Sequence, residues 1–220
     1  MNRIKTILCG VAVCVSSSAL AEEAAYGVKV GAEMWWGKTK IDNMRYDTAQ
    51  VPVISFAVEH SFDYWPNMSF RYSHVDAQTV VFDKYDYTLY YRLLDRQSLR
   101  FNSGVMLSQY RSTDYRAPDN QHYDFNDLTF NWFGYAELSI PNSNVDIIGQ
   151  IDFGDSRGIK SADMTAGIQY VIDNPTYPLS LKAGYRVIDL EFTNLATQSP
   201  QTSESLVFVD GWFIGAEMRF

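Results

Sequence analysis

The sequence predicts an all-β chain closed into an antiparallel up-and-down transmembrane β-barrel of about ten strands, with eight as the alternative count. Three observations carry this. From Ser205 to Phe220, apolar residues alternate with small or charged ones until the chain stops on an aromatic. The same period-two alternation recurs in roughly ten segments, each near the length that a tilted membrane strand requires. The N-terminus, finally, has the parts of a secretory signal.

That signal spans Met1 to Ala21: Arg3 and Lys5 form a basic start, Ile7 to Val15 an apolar stretch, and Ala19-Leu20-Ala21 a small-x-small cleavage site. The apolar stretch is well short of the ~20 residues a membrane-crossing helix needs. The expected mature chain is therefore 22–220, one barrel domain. It contains neither Cys9 nor Cys14, so disulfides, thiolate metal sites and cysteine nucleophiles are excluded. Losing Arg3 and Lys5 as well leaves 16 bases against 26 acids, a formal charge of −10, which argues against nucleic acid as a partner. With 15 Tyr, 13 Phe and 5 Trp, the mean hydropathy is still only −0.20. A membrane chain scores as polar when only alternate residues meet lipid.

In the first strand Tyr26, Val28, Val30, Ala32, Met34 and Trp36 share a face, opposite Lys29, Glu33 and Trp35. Ile54, Phe56, Val58 and Phe62 give the second, Met68, Phe70 and Tyr72 the third, and Tyr85 to Leu93 the fourth. Leu99 to Leu107 gives the fifth, Leu128 to Ile140 the sixth and Val145 to Phe153 the seventh. Ala162 to Tyr170 and Leu179 to Val187 precede the closing strand. Six of the seven prolines fall between these segments and Pro52 starts one, where a missing N–H costs least. Tight connections at Tyr64–Asn67, Leu94–Gln97, Pro141–Asn144 and Asp173–Pro178 share one side. The long loops Thr39–Val51, Arg111–Asp127 and Thr193–Glu204 share the other. At roughly 2.5 Å of height per tilted residue, Tyr26 and Trp36 stand about 25 Å apart, the height of a membrane-barrel apolar band. A soluble β-sandwich would cover its apolar face with a second sheet and has no need of so many boundary aromatics. His60, Ser103, Gln109 and Asp210 fall on the nominal lipid face; for His60 and Ser103 a bulge or register slip is an expected explanation.

The closing strand, with Trp212, Ile214, Ala216, Met218 and Phe220 on one face, resembles the last strand of Gram-negative outer-membrane β-barrels. Over its mature length the chain resembles the small, functionally uncharacterised members of that class. The resemblance implies an outer-membrane location reached by export with a cleaved signal peptide. It also implies Trp212, Ile214, Met218 and Phe220 as an assembly signal read by the barrel-assembly machinery, periplasmic chaperones as partners, and outer-membrane lipid and lipopolysaccharide as surroundings.

Inward-facing charges are expected to form a lumen network of Lys29, Glu33, Glu59, Arg71, Arg92, Arg100, Glu137, Asp152, Lys182, Arg186, Glu217 and Arg219, with Asp86, Asp146 and Asp163 as further inward acids. Ten strands enclose little more than these side chains, so an ion-paired plug is favoured over a selectivity filter, and Tyr90, Phe133 and Tyr135 narrow it further. Excess negative charge then lies in loops, at Asp42, Asp47, Asp114, Asp119, Asp124, Asp127, Glu191 and Glu204.

Outer-membrane proteases use an Asp–His couple with paired acids at the rim. His74 with Asp76, or His122 with Asp124, supplies half of that, and neither has the paired acids. Lipid A deacylating barrels use a His and a Ser on the lipid face; His60 and Ser61 are adjacent and point to opposite faces. No catalytic, cofactor or metal site is expected. The expectation is a non-enzymatic barrel with a largely plugged polar lumen, serving membrane integrity or surface interaction through its outer loops. A narrow passive pore is the alternative and a rim hydrolase the distant one.

Overall fold

A computed structural model describes residues 26–41, 44–47, 50–62, 64–77, 80–116, 120–193 and 205–220. The signal region lies outside them, as do Asp42, Asp119 and Glu204. Ten antiparallel strands close into a barrel: β1 (Tyr26–Ile41), β3 (Val51–His60), β4 (Asn67–Asp76), β5 (Val80–Arg96), β6 (Leu99–Arg116), β8 (Leu128–Ser139), β9 (Val145–Ser156), β10 (Ile159–Ile172), β11 (Leu179–Phe192) and β12 (Ser205–Arg219). Two short pieces, β2 (Met44–Asp47) and β7 (His122–Tyr123), extend β1 and β6 beyond the wall. Each barrel strand pairs with its chain neighbours, and β12 pairs back onto β1 from Lys29↔Arg219 to Ile41↔Val207. Closure leaves no sheet edge, the condition for backbone to cross lipid. Phe220 completes the seam: its N–H donates to the Val28 carbonyl at 2.8 Å, and its carbonyl accepts from the Val28 N–H at 3.1 Å.

The period-two pattern sorts side chains in or out. Val30, Met34, Ile54, Phe56, Met68, Leu89, Leu107, Phe130, Trp132, Ile151, Met164, Ile168, Trp212 and Ile214 all point outward and are exposed. A continuous apolar skin of this extent is not stable in water and marks a membrane-facing surface. Tyr64 (94% exposed), Trp65, Tyr26 and Tyr177 ring the end that carries the tight turns and both described termini, hereafter the turn end.

His60 and Ser103 need no slip. The ladder runs unbroken through Tyr26↔His60 and Ser103↔Gly134, and each side chain finds a backbone partner instead. The His60 ring bonds the Pro66 carbonyl and accepts from the Phe62 N–H, both at 3.2 Å, and the Ser103 hydroxyl donates to the Phe133 carbonyl at 3.1 Å. The irregularities lie in the β5–β6 hairpin, between Val81 and Asp83 and between Arg92 and Leu94. At the first, Ser112 adopts φ 50°, and the inward phase of β6 changes from Ser108 and Tyr110 to Thr113 and Tyr115.

Several strands continue toward the loop end beyond the residues whose alternation marks them. β5 starts at Val80 rather than Tyr85, β6 runs to Arg116 and β11 to Phe192. These extensions carry inward apolar residues: Val80 and Phe82, Tyr110 and Tyr115, Ile188, Leu190 and Phe192. With Trp35, Val51, Val53, Val75, Val207, Val209 and Phe213 they form one buried cluster in the loop-end half of the barrel.

Candidate functional site

The interior is the candidate site, and it is built in tiers. Read from the loop end, β5 presents Val80, Phe82, Lys84, Asp86, Thr88 and Tyr90 inward, while β10 presents Ile159, Ser161, Asp163 and Thr165. β11, read the same way, presents Phe192, Leu190, Ile188, Arg186 and Lys182. Each strand begins apolar at the loop end and carries its charge deeper in the barrel.

The apolar tier is roofed by the connection between β6 and β8. Tyr123 and Phe125 are buried there, with Phe125 packed at a tilt against Phe192 (ring centroids 4.7 Å), Phe82 (5.8 Å) and Tyr110 (6.0 Å). Three bonds fix the roof: the Phe125 N–H donates to Thr113 Oγ1 at 2.8 Å, the Thr113 N–H to Asn126 Oδ1 at 3.2 Å, and the Tyr110 N–H to the Asp127 carbonyl at 2.8 Å. The expectation of a lumen filled by polar chains is thereby corrected: its loop-end half contains an apolar core. The physical reason is that a buried cluster satisfies no charge and needs none, whereas every buried ion requires partners.

Beneath lies a compact ion layer. Lys84 Nζ stands 3.3 Å from Asp86, 3.2 Å from Asp152 and 2.7 Å from Asp163. Arg71 reaches the same three at 2.9, 3.2 and 2.9 Å. Arg186 grips Asp163 through Nε and Nη2 and stacks on the Trp35 ring at 5.1 Å. Ser73, Ser108 and Gln150 donate to or accept from the layer at 3.1, 2.7 and 3.2 Å. Three cations meet three carboxylates, so the layer is formally neutral. The three carboxylates sit close enough to hold a metal ion, but the Lys84 ammonium occupies the position such an ion would take.

Toward the turn end, Tyr90, Met106 and Phe133 pack with Tyr135. Glu59 there gathers Lys29 at 2.8 Å, Arg92 at 3.4 Å, Arg219 at 3.8 Å and the Tyr90 hydroxyl at 3.1 Å. Lys182 pairs with Glu217 at 2.6 Å, and Arg100 pairs with Glu137. The twelve sequence-predicted lumen residues thus separate: Arg71, Asp152 and Arg186 belong to the inner layer, and the other paired ones to the turn-end tier. Glu33 has no ion pair or hydrogen bond among the described residues. Lys84 was missed, because the alternation that locates a strand begins only at Tyr85. Trp212, Ile214, Met218 and Phe220 share the outer face of β12, with Phe220 against Tyr177 at 5.3 Å between ring centroids.

The rim histidines have partners other than those expected. His74 Nδ1 pairs with Asp83 at 2.9 Å, not with Asp76, because antiparallel pairing sets His74 opposite Asp83. His122 Nδ1 pairs with Asp114 at 2.7 Å, not Asp124, because β7 folds back on β6. The Tyr72 hydroxyl also donates to Asp83 at 2.8 Å. These are two Asp–His couples toward the loop end.

No family model matches the chain, and no curated protein matches it. Among solved structures it is similar to the outer membrane protease OmpT from Escherichia coli, at 8% identity over 89% of this chain and 96% of that one, with a TM-score of 0.50. The β domain of the Bordetella autotransporter BrkA aligns at 11% identity over 89% and 99% of the two chains (TM-score 0.47). Neisserial surface protein A aligns at 13% identity over 90% and 98% (TM-score 0.39). The first likeness is one of fold: the chain has the architecture of outer-membrane β-barrel proteins.

Proposed function

We propose that this chain is a non-enzymatic integral outer-membrane protein whose barrel is closed to solute flow. It acts by completing the membrane wall and by presenting its loop end to the cell's surroundings. The tight turns and both termini then face the periplasm, and lipopolysaccharide surrounds the loop end. One observation carries this reading: the roofed apolar core, resting on a neutral ion layer, spans the bore where a channel would need water. Hydrated ions cross an apolar constriction poorly, and a pore requires polar lining along its whole length.

The loop end supports the surface role. His122, Asp124, Asp127 and Arg157 border an open polar hollow above Phe192 and Ile159, and an ion pair at 3.1 Å joins Arg157 to Asp127. The Asp–His couples support no catalysis by themselves, since a general base needs an activated nucleophile and a bound reacting group within reach.

Planar-bilayer recording tests the closed bore. The refolded protein is expected to remain electrically silent after insertion, with insertion shown independently by heat-modifiable gel migration. Discrete conductance steps would establish the passive-pore alternative and end this reading.

A further inference from the structure

At the turn end the barrel opens into a hollow of about 400 Å³, bordered by Glu59, His60, Ser61, Arg92, Thr176 and Arg219 among others. Its charges are layered. Glu59 is buried, with 6% of its side chain exposed, while Arg92 and Arg219 are 37% and 48% exposed. Arg100 and Glu137 in the same tier repeat the contrast at 38% and 7%. An anion arriving from the turn end therefore meets guanidinium donors before it meets the acids behind them. Asp95, in the turn itself, takes Arg92 Nη1 at 3.0 Å.

The two arginines converge. Arg92 Nη2 and Arg219 Nη2 stand 3.4 and 3.8 Å from one atom, Glu59 Oε2, so their guanidinia lie side by side at the opening. At 3.8 Å Arg219 is too far to hydrogen-bond that oxygen, and its N–H groups have no hydrogen bond among the described residues. Arg92 donates to Asp95 and Glu59 through Nη1 and Nη2 and leaves Nε uncommitted. Gly27 makes room for this arrangement: a Cβ there would stand 3.3 Å from Arg219 Nη2 and 3.4 Å from its Nε, so the guanidinium rests against bare backbone. Water reaches these donors in the free protein. What singles them out is that two planar forks, already held by the wall, face a single point that one oxyanion can bridge.

We propose that this mouth binds the phosphate group of a small phosphate monoester, clamped between Arg92 and Arg219. A guanidinium presents parallel N–H donors that match phosphate oxygens. A monoester offers three such oxygens, enough for both arginines and for the Ser61 or Thr176 hydroxyl on the same wall. A carboxylate has two oxygens and only duplicates what Glu59 already supplies from behind. The hollow also exceeds the ~150 Å³ that suffices for a guest the size of benzene, so the organic part of the ester has room beside the phosphate. The site rests on the closed-bore reading in one respect: with the loop end shut, the ligand enters and leaves by the same mouth.

Glycerol phosphate is the probe. Equilibrium dialysis of the labelled ester against the folded protein, in a phosphate-free detergent at low ionic strength, is expected to show one saturable site of about millimolar affinity. Orthophosphate is expected to displace it, and glycerol is not. Arg219→Gln and Arg92→Gln are each expected to weaken binding at least about tenfold, the effect of losing one charged partner, while the folded gel band persists. Arg157→Gln, at the loop end, is expected to leave binding unchanged. Absence of saturable uptake by the folded wild type means that water alone occupies the mouth and overturns the proposal. So does displacement by acetate as readily as by orthophosphate, or a loss with Arg157→Gln as large as with Arg219→Gln, the mark of a diffuse charge effect. Conductance of the same preparation separates the two readings: uptake with current steps removes the closed bore and keeps the site, whereas no uptake with silence does the reverse.

Discussion

Replacing Lys84 by Met is expected to lower the stability of the folded barrel by about 3–5 kcal/mol, the usual effect of removing one partner from a buried ion pair. Lys84 is 1% exposed and faces three carboxylates within 3.3 Å. Methionine fills similar volume and leaves Asp86, Asp152 and Asp163 with two cations for three charges. A second substitution, Asp152→Asn, restores formal neutrality while keeping the side-chain shape, so the double variant is expected to recover most of the loss. Asp152→Asn alone is expected to destabilise, because it leaves the cations in excess. The measurement is the urea midpoint of the folded gel band for the four proteins, read as a double-mutant cycle. A Lys84→Met shift within about 0.5 kcal/mol, the range of an ordinary surface change, would show that the ammonium does not balance the layer.

Lys84 also shows why part of the interior was illegible in the sequence. Alternation reveals a membrane strand when one face meets lipid and the other meets water or charge. Around Met68 to Tyr72, Leu128 to Leu138 or Trp212 to Phe220 that contrast holds, and there the facing of residues in the structure follows the pattern. Near the loop end the inward face turns apolar as well, at Val80, Phe82, Ile188 and Leu190, so both faces are hydrophobic and the period vanishes. The alternating residues therefore stop short of the strand ends, and Lys84 lies beyond them in β5. The bulge at Ser112 compounds this by switching phase within β6. The roof was illegible for another reason: Tyr123 and Phe125 lie in an acidic, irregular segment, and only their burial, with Phe125 packed against Phe82, Tyr110 and Phe192, distinguishes them from exposed loop aromatics. The ion pairs were legible as inward charges, but not as pairs. Arg71 and Asp163 are 92 positions apart, and no spacing rule spans a barrel.

The second large effect is expected at the seam. Gly211 faces inward opposite Gly37, and its carbonyl accepts from the Trp35 indole N–H at 3.2 Å. A Cβ placed on Gly211 would stand 1.9 Å from the Trp36 carbonyl oxygen, 2.6 Å from its carbon and 2.8 Å from Gly37 Cα. All three are backbone atoms of the partner strand, so no rotamer change relieves the contact. Gly211→Val is therefore expected to exceed the usual overpacking penalty of about 1–3 kcal/mol and to prevent β1 and β12 from closing. The readout is loss of the compact, heat-modifiable band during refolding into detergent. A folded band at wild-type yield would mean that the seam opens to accept the side chain without cost. Replacing Ala216, which faces outward on the same strand, by Val serves as the control and is expected to fold normally.

The roofed core draws its residues from β1, β3, β4, β5 and β6 at one end of the chain and β10, β11 and β12 at the other, and these two groups adjoin only across the β12–β1 seam, so neither buries it alone. A half-wound curtain of hairpins is oily on both surfaces at one end. It cannot rest against a bilayer in water without leaving that end wet, and it gains nothing there until the first and last strands meet. The final zip of the cylinder and the drying of its centre are thus one event, so this protein has no stable, partly wound form to pause in.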